Sequence, residues 1–306
     1  MLHQCKLAFV LVLCMRLFLE VHVASDICSV CNCQGSPIYV GCENRQLSTV
    51  PQPIPANVES IYLNSNNIAT IQNGTFQKLF MLKYLYIKYN KITTIRAGAF
   101  KDLTVLQQLY MSNNDIMVIE DGSFQNLPNL KHLYLEHNKI PSIGERTFEN
   151  LPSLRALYLA YNKLQNIEEK HFQNLSRLER LYLGFNEISD IEERTFQNFP
   201  NVKYIYLGYN KIKTIENGTF QNLTYLENLY LENNEISRIG ERTFQNLPSL
   251  IKLDLKYNNI ENIDEGSFQI LTKLEYLDLS NNDITSIGVG ISQNIHNLKN
   301  LTIYWQ

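Results

Sequence analysis

The sequence is poor in several features that would point to particular functions. It contains no cysteine after Cys42, so packing must hold most of its 306 residues together. It has 13 glycines and no Gly-rich phosphate loop, and after residue 25 no apolar run approaches the roughly 20 residues of a membrane-spanning helix. With 27 basic and 30 acidic side chains, bulk attraction to nucleic acid or another polyanion is excluded.

The first 25 residues have the composition of an export signal. Lys6 precedes an apolar run over residues 7–15, and small residues at 23–25 offer a cleavage site. The run is too short to span a bilayer, although charged residues within the segment leave an uncleaved anchor as the alternative. We expect residues 1–25 to be removed and the chain to be secreted.

The cysteines that remain after removal of Cys5 and Cys14 form one cluster. They are Cys28, Cys31, Cys33 and Cys42. This spacing could build a four-thiolate zinc site, but an exported chain meets an oxidising compartment, which favours two disulfide bonds. We therefore expect no metal in residues 26–57.

From Val58 onward the sequence repeats every 24 residues. Residues 58–297 form ten repeats, and residues 298–306 begin an eleventh. Each follows the pattern L-x-x-L-x-L-x-x-N-x-I-x-x-I-x4-F-x-x-L, and the first nine keep all seven apolar positions. The L-x-L alternation predicts a short strand with one buried face. The asparagine is expected to bond backbone groups where the strand ends, and the phenylalanine to fill the opposite side.

This pattern is the signature of leucine-rich repeats. With the cysteine cluster in front, the chain resembles extracellular leucine-rich-repeat proteins with an N-terminal cysteine cap: Slit-type proteins, variable lymphocyte receptors, Toll-like receptor ectodomains and small leucine-rich proteoglycans. The resemblance implies Cys28–Cys33 and Cys31–Cys42 pairs. It also implies an α/β-type solenoid, a curved horseshoe with a parallel concave sheet and an irregular convex side.

The C-terminal end departs from the family pattern. No second cysteine cap is visible, and Ser292 stands where the other repeats have phenylalanine. We expect either a longer native chain, an end covered by Trp305, or an apolar edge that supports self-association. The apolar residues at that edge are Leu298, Leu301 and Ile303.

A tyrosine stands between the two strand leucines in eight successive repeats. Tyrosine forms strands well, which would explain this ladder, but it also suits recognition surfaces. Small residues at Ala160, Gly184 and Gly208 predict a trough beside it. The candidate ligand-binding residues on the concave face are Tyr134, Tyr158, Tyr161, Arg180, Tyr182, Phe185, Tyr206 and Tyr209.

The remaining signals favour binding over catalysis. His132 and His137 share one strand, but no carboxylate or metal set completes a catalytic site, and no cofactor is expected. Mixed charge along the predicted concave face favours a protein ligand over glycosaminoglycan. Together with the overall charge, it also argues against nucleic acid. The sequence thus predicts a receptor-like extracellular binding protein, with a secreted matrix or adhesion protein as the alternative. The expected N-glycosylation sites are Asn73, Asn174, Asn217 and Asn222.

Overall fold

The computed structural model describes residues 27–36, 38–285 and 297–303. The predicted signal segment, Ser292 and Trp305 lie outside these residues. Within them, no helix is long and apolar enough to cross a membrane.

Alternating apolar residues place one short strand in each repeat, and these strands make one long sheet. The first two strands are antiparallel, and all later neighbours pair in parallel. Over the described ranges the sheet has 13 strands. Their bounds are Asn32–Gln34, Ile38–Gly41, Val58–Tyr62, Tyr84–Tyr86, Gln108–Tyr110, His132–Tyr134, Ala156–Tyr158, Arg180–Tyr182, Tyr204–Tyr206, Asn228–Tyr230, Lys252–Asp254, Tyr276–Asp278 and Asn300–Thr302.

The core lies behind the sheet as columns of identical apolar positions. The pairing register sets Leu157, Leu181 and Ile205 side by side, so each repeat buries its leucines against the next. All three are fully buried, as is Phe196 of the phenylalanine column. Because a single repeat cannot enclose its own apolar side chains, neighbours supply the burial that stabilises each one.

The asparagine of each repeat bonds the backbone at the end of its strand, as the sequence predicts. In repeat five the Asn162 Nδ2 donates to the carbonyls of Leu135 and Leu159 at 3.0 and 3.1 Å. Its Oδ1 accepts from the backbone N–H of Ile140 at 3.1 Å. The side chain is buried, so these bonds replace water that the backbone groups cannot reach.

The ring spacings show that the solenoid curves with the sheet on its inner side. Stacked tyrosine rings of consecutive repeats on the sheet are 4.1–4.6 Å apart between Tyr62 and Tyr182. Phenylalanine rings on the opposite side are 5.4–6.5 Å apart. The larger spacing places the phenylalanines on the convex side, which confirms the predicted architecture.

The convex side consists mainly of turns. It contains a 3-10 helix at Glu169–Phe172 and three pairs of two-residue strands. The strand bounds are Thr94–Ile95, Val118–Ile119, Asn166–Ile167, Asp190–Ile191, Arg238–Ile239 and Asn262–Ile263.

The N-terminal cap is closed by the two disulfides that the family resemblance implies. Cys28 bonds Cys33 and Cys31 bonds Cys42, with S–S distances of 2.02 and 1.97 Å. The cap also contains a short helix at Ile27–Val30, whose Ile27 is fully buried. Both pairings are confirmed, and all four thiols of the alternative zinc site are used.

Candidate binding face

The outer face of the long sheet carries the predicted tyrosine ladder. Rings stack with interplanar angles of 8–11° along six successive repeats. The stacked tyrosines are Tyr62, Tyr86, Tyr110, Tyr134, Tyr158 and Tyr182. Such pairs stabilise the sheet.

The ladder is interrupted at Tyr206. Its ring stands at 66° to that of Tyr230. Tyr204 lies two residues earlier, on the same face. Its ring is tilted relative to those of Tyr182 and Tyr230, and the ring centroids are 5.0 and 5.1 Å apart. The Tyr206 ring instead lies over Gly184, and the nearby carboxyl of Glu232 adds to the burial that raises the pKa of the Tyr206 hydroxyl. The face therefore changes its packing between repeats six and eight.

Side chains from neighbouring strands cover Gly184 and Gly208. The prediction of an open trough at these two glycines is therefore wrong. A Cβ at Gly184 would collide with the ring of Tyr206, so that ring already occupies the space above the glycine. A Cβ at Gly208 would lie 2.7 Å from the carboxyl carbon of Glu232. Both glycines are consequently buried.

A second stack of rings runs parallel to the ladder. His137, Tyr161, Phe185 and Tyr209 stack at 4.1–4.2 Å in four successive repeats. We call these four residues the turn stack, because each follows its strand at a positive φ of 54–58°. Tyr161 and Tyr209 are 43% and 41% exposed.

Positive φ is unusual for large side chains. The equivalent positions carry asparagine at Asn113, Asn233 and Asn281, which tolerates this backbone better than an aromatic residue does, and tyrosine at Tyr89 and Tyr257. The turn stack therefore places rings where local conformation disfavours them, and leaves three of the four open to solvent. Strain of this kind is common at functional surfaces.

Arg180 adds the one exposed cation within the eight candidate residues. It lies on the strand of repeat six, between Ala156 and Tyr204 in register. No ion pair engages it within the described residues. The structure thus brings all eight candidates onto one surface across repeats four to seven: three in the ladder, three in the turn stack, Tyr206 between the stacks and Arg180 at the flank.

Burial sets the protonation of this face. It raises the pKa of the hydroxyls of Tyr134, Tyr182 and Tyr206 above their ordinary value, so they remain neutral donors. Burial likewise raises the pKa of Glu232 and Asp254, which stand at the C-terminal side of the face.

Three contributors stand outside the predicted set of ligand-binding residues. His137 extends the turn stack, Tyr204 bridges the ladder, and the carboxyl of Glu232 covers Gly208. His137 and Tyr204 occupy the same repeat positions as Tyr161 and Arg180, so alignment of the repeats could have found them. Nothing local marks Glu232, whose role depends on Gly208 in the preceding repeat.

The predicted glycosylation sites lie away from this face. All four side chains are exposed and lie on the turns of the convex half: Asn73, Asn174, Asn217 and Asn222. Among the residues that the structure covers, no group of three or more potential ligands is placed to hold a metal ion.

The fold and this face together define a solenoid repeat protein whose inner sheet presents an aromatic surface. The leucine rich repeat family model matches most of the chain, and the chain belongs to this family. A second leucine rich repeat model matches residues 273–299. The overlapping matches to the first are at residues 56–116, 112–164, 128–188, 157–212, 176–236 and 224–284.

Known relatives are similar over parts of their length. Leucine-rich repeat-containing protein 4 of Homo sapiens is 46% identical over 57 residues, which are 19% of this chain and 9% of that protein. The rat and mouse proteins match equally. The chain therefore spans about a tenth of the curated relatives that it matches.

Solved structures of other proteins align with most of this chain. A structure of an octameric complex of Latrophilin 3, Unc5D and FLRT2 (LRR) aligns with a TM-score of 0.76 and 27% identity, over 90% of this chain and 83% of that one. A TLR13–ssRNA13 complex aligns with a TM-score of 0.69 and 25% identity, over 81% of this chain and 40% of that one. These neighbours support a ligand-binding leucine-rich-repeat module.

Proposed function

We propose that this protein is a secreted, receptor-like recognition module that binds a protein ligand on the aromatic face of repeats four to seven. The observation that carries the proposal is the pair of parallel ring stacks with an unpaired arginine at their flank. Large rings lose little conformational entropy on binding, and aromatic residues and arginine dominate the binding energy of most interfaces.

The charges of the face favour a protein over a polyanion. The Lys88 and Lys252 ammonium groups lie 4.4 and 4.7 Å from the ring centroids of Tyr110 and Tyr230, which engages them within the chain. The buried carboxyl of Glu232 interrupts any cationic stripe. Polyanions bind to continuous surfaces of one sign, whereas protein ligands match mixed surfaces.

Export is part of the proposal. Two disulfides suit an oxidising compartment, and exposed sequons on the convex side would place glycans away from the inner face. The FLRT2 structure, an octameric complex with Latrophilin 3 and Unc5D, supports a protein as the kind of partner.

The test begins with a screen of the secreted chain against an array of extracellular proteins, followed by measurement of the affinity for a captured ligand. Tyr182→Ala and Tyr209→Ala should each weaken binding by about 30- to 1000-fold, which corresponds to about 2–4 kcal/mol. Tyr225→Ala is the matched control, because Tyr225 is 56% exposed and lies outside both stacks. Unchanged affinity in the two face variants, with circular dichroism like the native protein, would remove the face from the binding site. Binding of single-stranded RNA with protein ligands absent would favour the other ligand class.

A further inference from the structure

The repeat position that forms the turn stack continues beyond its last ring. Two repeats after Tyr209 it carries Tyr257, with a φ of 54° beside the 58° of Tyr209. The repeat between them carries Asn233 at a φ of 53°. The backbone conformation is thus the same at all three positions, and the middle one lacks a ring.

The missing ring leaves space for one planar group. Neighbouring rings of the turn stack lie 4.1–4.2 Å apart. At this interval two repeats span roughly 8 Å, so a planar group in the middle lies about 4 Å from each ring, close to the optimal separation of carbon atoms in contact. We call this position the Asn233 slot, with Tyr209 and Tyr257 as its walls and Asn233 as its floor.

The Asn233 slot is open to solvent. Its walls Tyr209 and Tyr257 are 41% and 51% exposed, and the short side chain of Asn233 is half-buried. Among the residues that the structure describes, no ring or cation stacks on Tyr257, whereas Tyr209 stacks on Phe185 with its other face. The two ring faces that border the slot are therefore available to a ligand.

A carboxylate beside the slot favours a cation. Glu235 follows Asn233 by two residues, and nearly half of its side chain is exposed. The Lys213 ammonium lies 3.9 Å from the Glu235 carboxylate, at the outer limit of an ion pair, and both groups are largely solvated. Glu235 can thus accept hydrogen bonds from a donor that enters the slot.

The cations on either side of the slot are engaged by other carboxylates. Lys211 stands one repeat before Glu235 at the same repeat position, and its ammonium lies 3.0 Å from the Glu187 carboxylate. Lys256 precedes Tyr257 and lies 3.6 Å from the carboxylate of Asp254. Neither lysine neutralises Glu235, so the local charge next to the slot is negative.

Resting on the function proposed above, we propose that the Asn233 slot receives the guanidinium of an arginine side chain of the protein ligand. A guanidinium is planar, and the faces of aromatic rings attract its charge. It lies between the rings of Tyr209 and Tyr257 and donates hydrogen bonds to Glu235. The slot extends the binding face from repeat seven into repeats eight and nine and selects one residue type of the ligand.

A second asparagine at the same repeat position provides an internal comparison. Asn113 stands between Tyr89 and His137. An imidazole is not among the rings that attract cations well, so one wall is weaker there. Lys91, two residues after Tyr89, is exposed, and within the described ranges no carboxylate pairs with it. We therefore expect the Asn113 position to leave arginine unbound.

The experiment uses the secreted chain alone and observes the probe by proton NMR. The probe is N-acetyl-arginine methylamide, whose δ-methylene protons should shift upfield because they lie over ring faces in the slot. N-acetyl-citrulline methylamide has the same planar shape without the charge. N-acetyl-lysine methylamide has the charge without the planar group, and N-acetyl-phenylalanine methylamide has a neutral ring. Arginine should bind at least about 5-fold more tightly than each of the three.

Matched variants make the test specific to the slot. Asn233→Tyr should abolish the shift, because the new ring fills the slot. The protein already carries tyrosine in this backbone conformation at Tyr89, Tyr161, Tyr209 and Tyr257. Asn113→Tyr is the matched control, since it makes the same change five repeats earlier, and should leave the shift unchanged.

Two further variants test the wall and the charge without filling the slot. Tyr257→Ala should weaken probe binding by about 5-fold or more, because one of the two ring faces is lost. Glu235→Gln should weaken it by about 2- to 5-fold, as expected for an exposed ion pair. Both side chains are exposed, so the native circular dichroism should be retained.

Several outcomes would overturn the proposed slot. These are no shift of the arginine probe, an equal affinity for any of the three comparison compounds, an unaltered shift in Asn233→Tyr or Tyr257→Ala, or an equal loss in Asn113→Tyr. None of these measurements requires a protein ligand, so failure here leaves the Tyr182 and Tyr209 test intact. Failure of that test with a positive probe response would instead leave an arginine site without the proposed interface.

Discussion

Replacing Gly184 with alanine tests the arrangement that interrupts the tyrosine ladder. The new Cβ would lie 2.5 Å from Cδ1 of Tyr206 and 2.9 Å from the backbone oxygen of Gly208. Real Cβ atoms do not approach this closely, so the ring must leave and the backbone must shift. Tyr206 would then move away from the buried carboxyl of Glu232.

The expected cost follows from these two effects. Overpacking of a well-filled site costs about 1–3 kcal/mol. Leaving the buried carboxyl of Glu232 without the neighbouring hydroxyl costs about 1–3 kcal/mol. Because both arise from one displaced ring, they overlap, and we expect Gly184→Ala to lower the free energy of unfolding by about 2–4 kcal/mol.

Urea unfolding followed by far-UV circular dichroism measures this change, and the near-UV signal reports the tyrosine packing. Ala160→Gly is the matched control, since Ala160 occupies the same position one repeat earlier. It should cost no more than about 1 kcal/mol, the ordinary difference between glycine and alanine. On a Tyr206→Ala background the ring is absent, so Gly184→Ala should lose at least about 1 kcal/mol of its effect. Native-like stability and near-UV signal in Gly184→Ala would refute the placement of Tyr206.

Two further predictions concern the buried polar groups. Asn162→Ala should lower the free energy of unfolding by at least about 3 kcal/mol, because it leaves buried backbone groups without partners. Asn166→Ala is the control: Asn166 is exposed, so its replacement should change the free energy of unfolding little. Equal effects of the two in denaturant unfolding would contradict the role of Asn162. Burial raises the pKa of Asp254, so the stability that this group contributes is present below its unfolded pKa and is lost as the pH rises through its folded pKa. The stability of Asp254→Asn relative to the native protein should consequently rise with pH above the ordinary carboxyl pKa in unfolding titrations, and a pH-independent difference would count against it.

Most of the fold could be predicted because each repeat presents the same chemistry. The L-x-L strand, the buried asparagine and the phenylalanine column depend on spacing within 24 residues, and Leu157, Asn162 and Phe172 behave as that spacing predicts. The disulfide pairing came from family resemblance, since the spacing of four cysteines does not by itself select the partners.

The sequence predicted which residues share the candidate face, but not how their side chains pack on it. Residues at one repeat position must form a row, which brought Tyr158, Tyr182 and Arg180 together. The interpretation of Gly184 as empty space was wrong, because the space above a small residue belongs to whichever neighbour can fold into it. That neighbour is Tyr206, whose ring covers Gly184, while the carboxyl of Glu232 from the next repeat covers Gly208.

The amino-acid sequence alone thus determined the repeat length, the order of the strands, the buried columns and the residues that share a face. Periodic burial is a local property, and each repeat needs only its neighbours to satisfy it. Only the tertiary structure decided how the rings on that face pack, that the turn stack forms at positive φ, and that no described residue forms an ion pair with Arg180. These outcomes depend on competition among side chains from several adjacent repeats, since each side chain takes the conformation that its neighbours leave open.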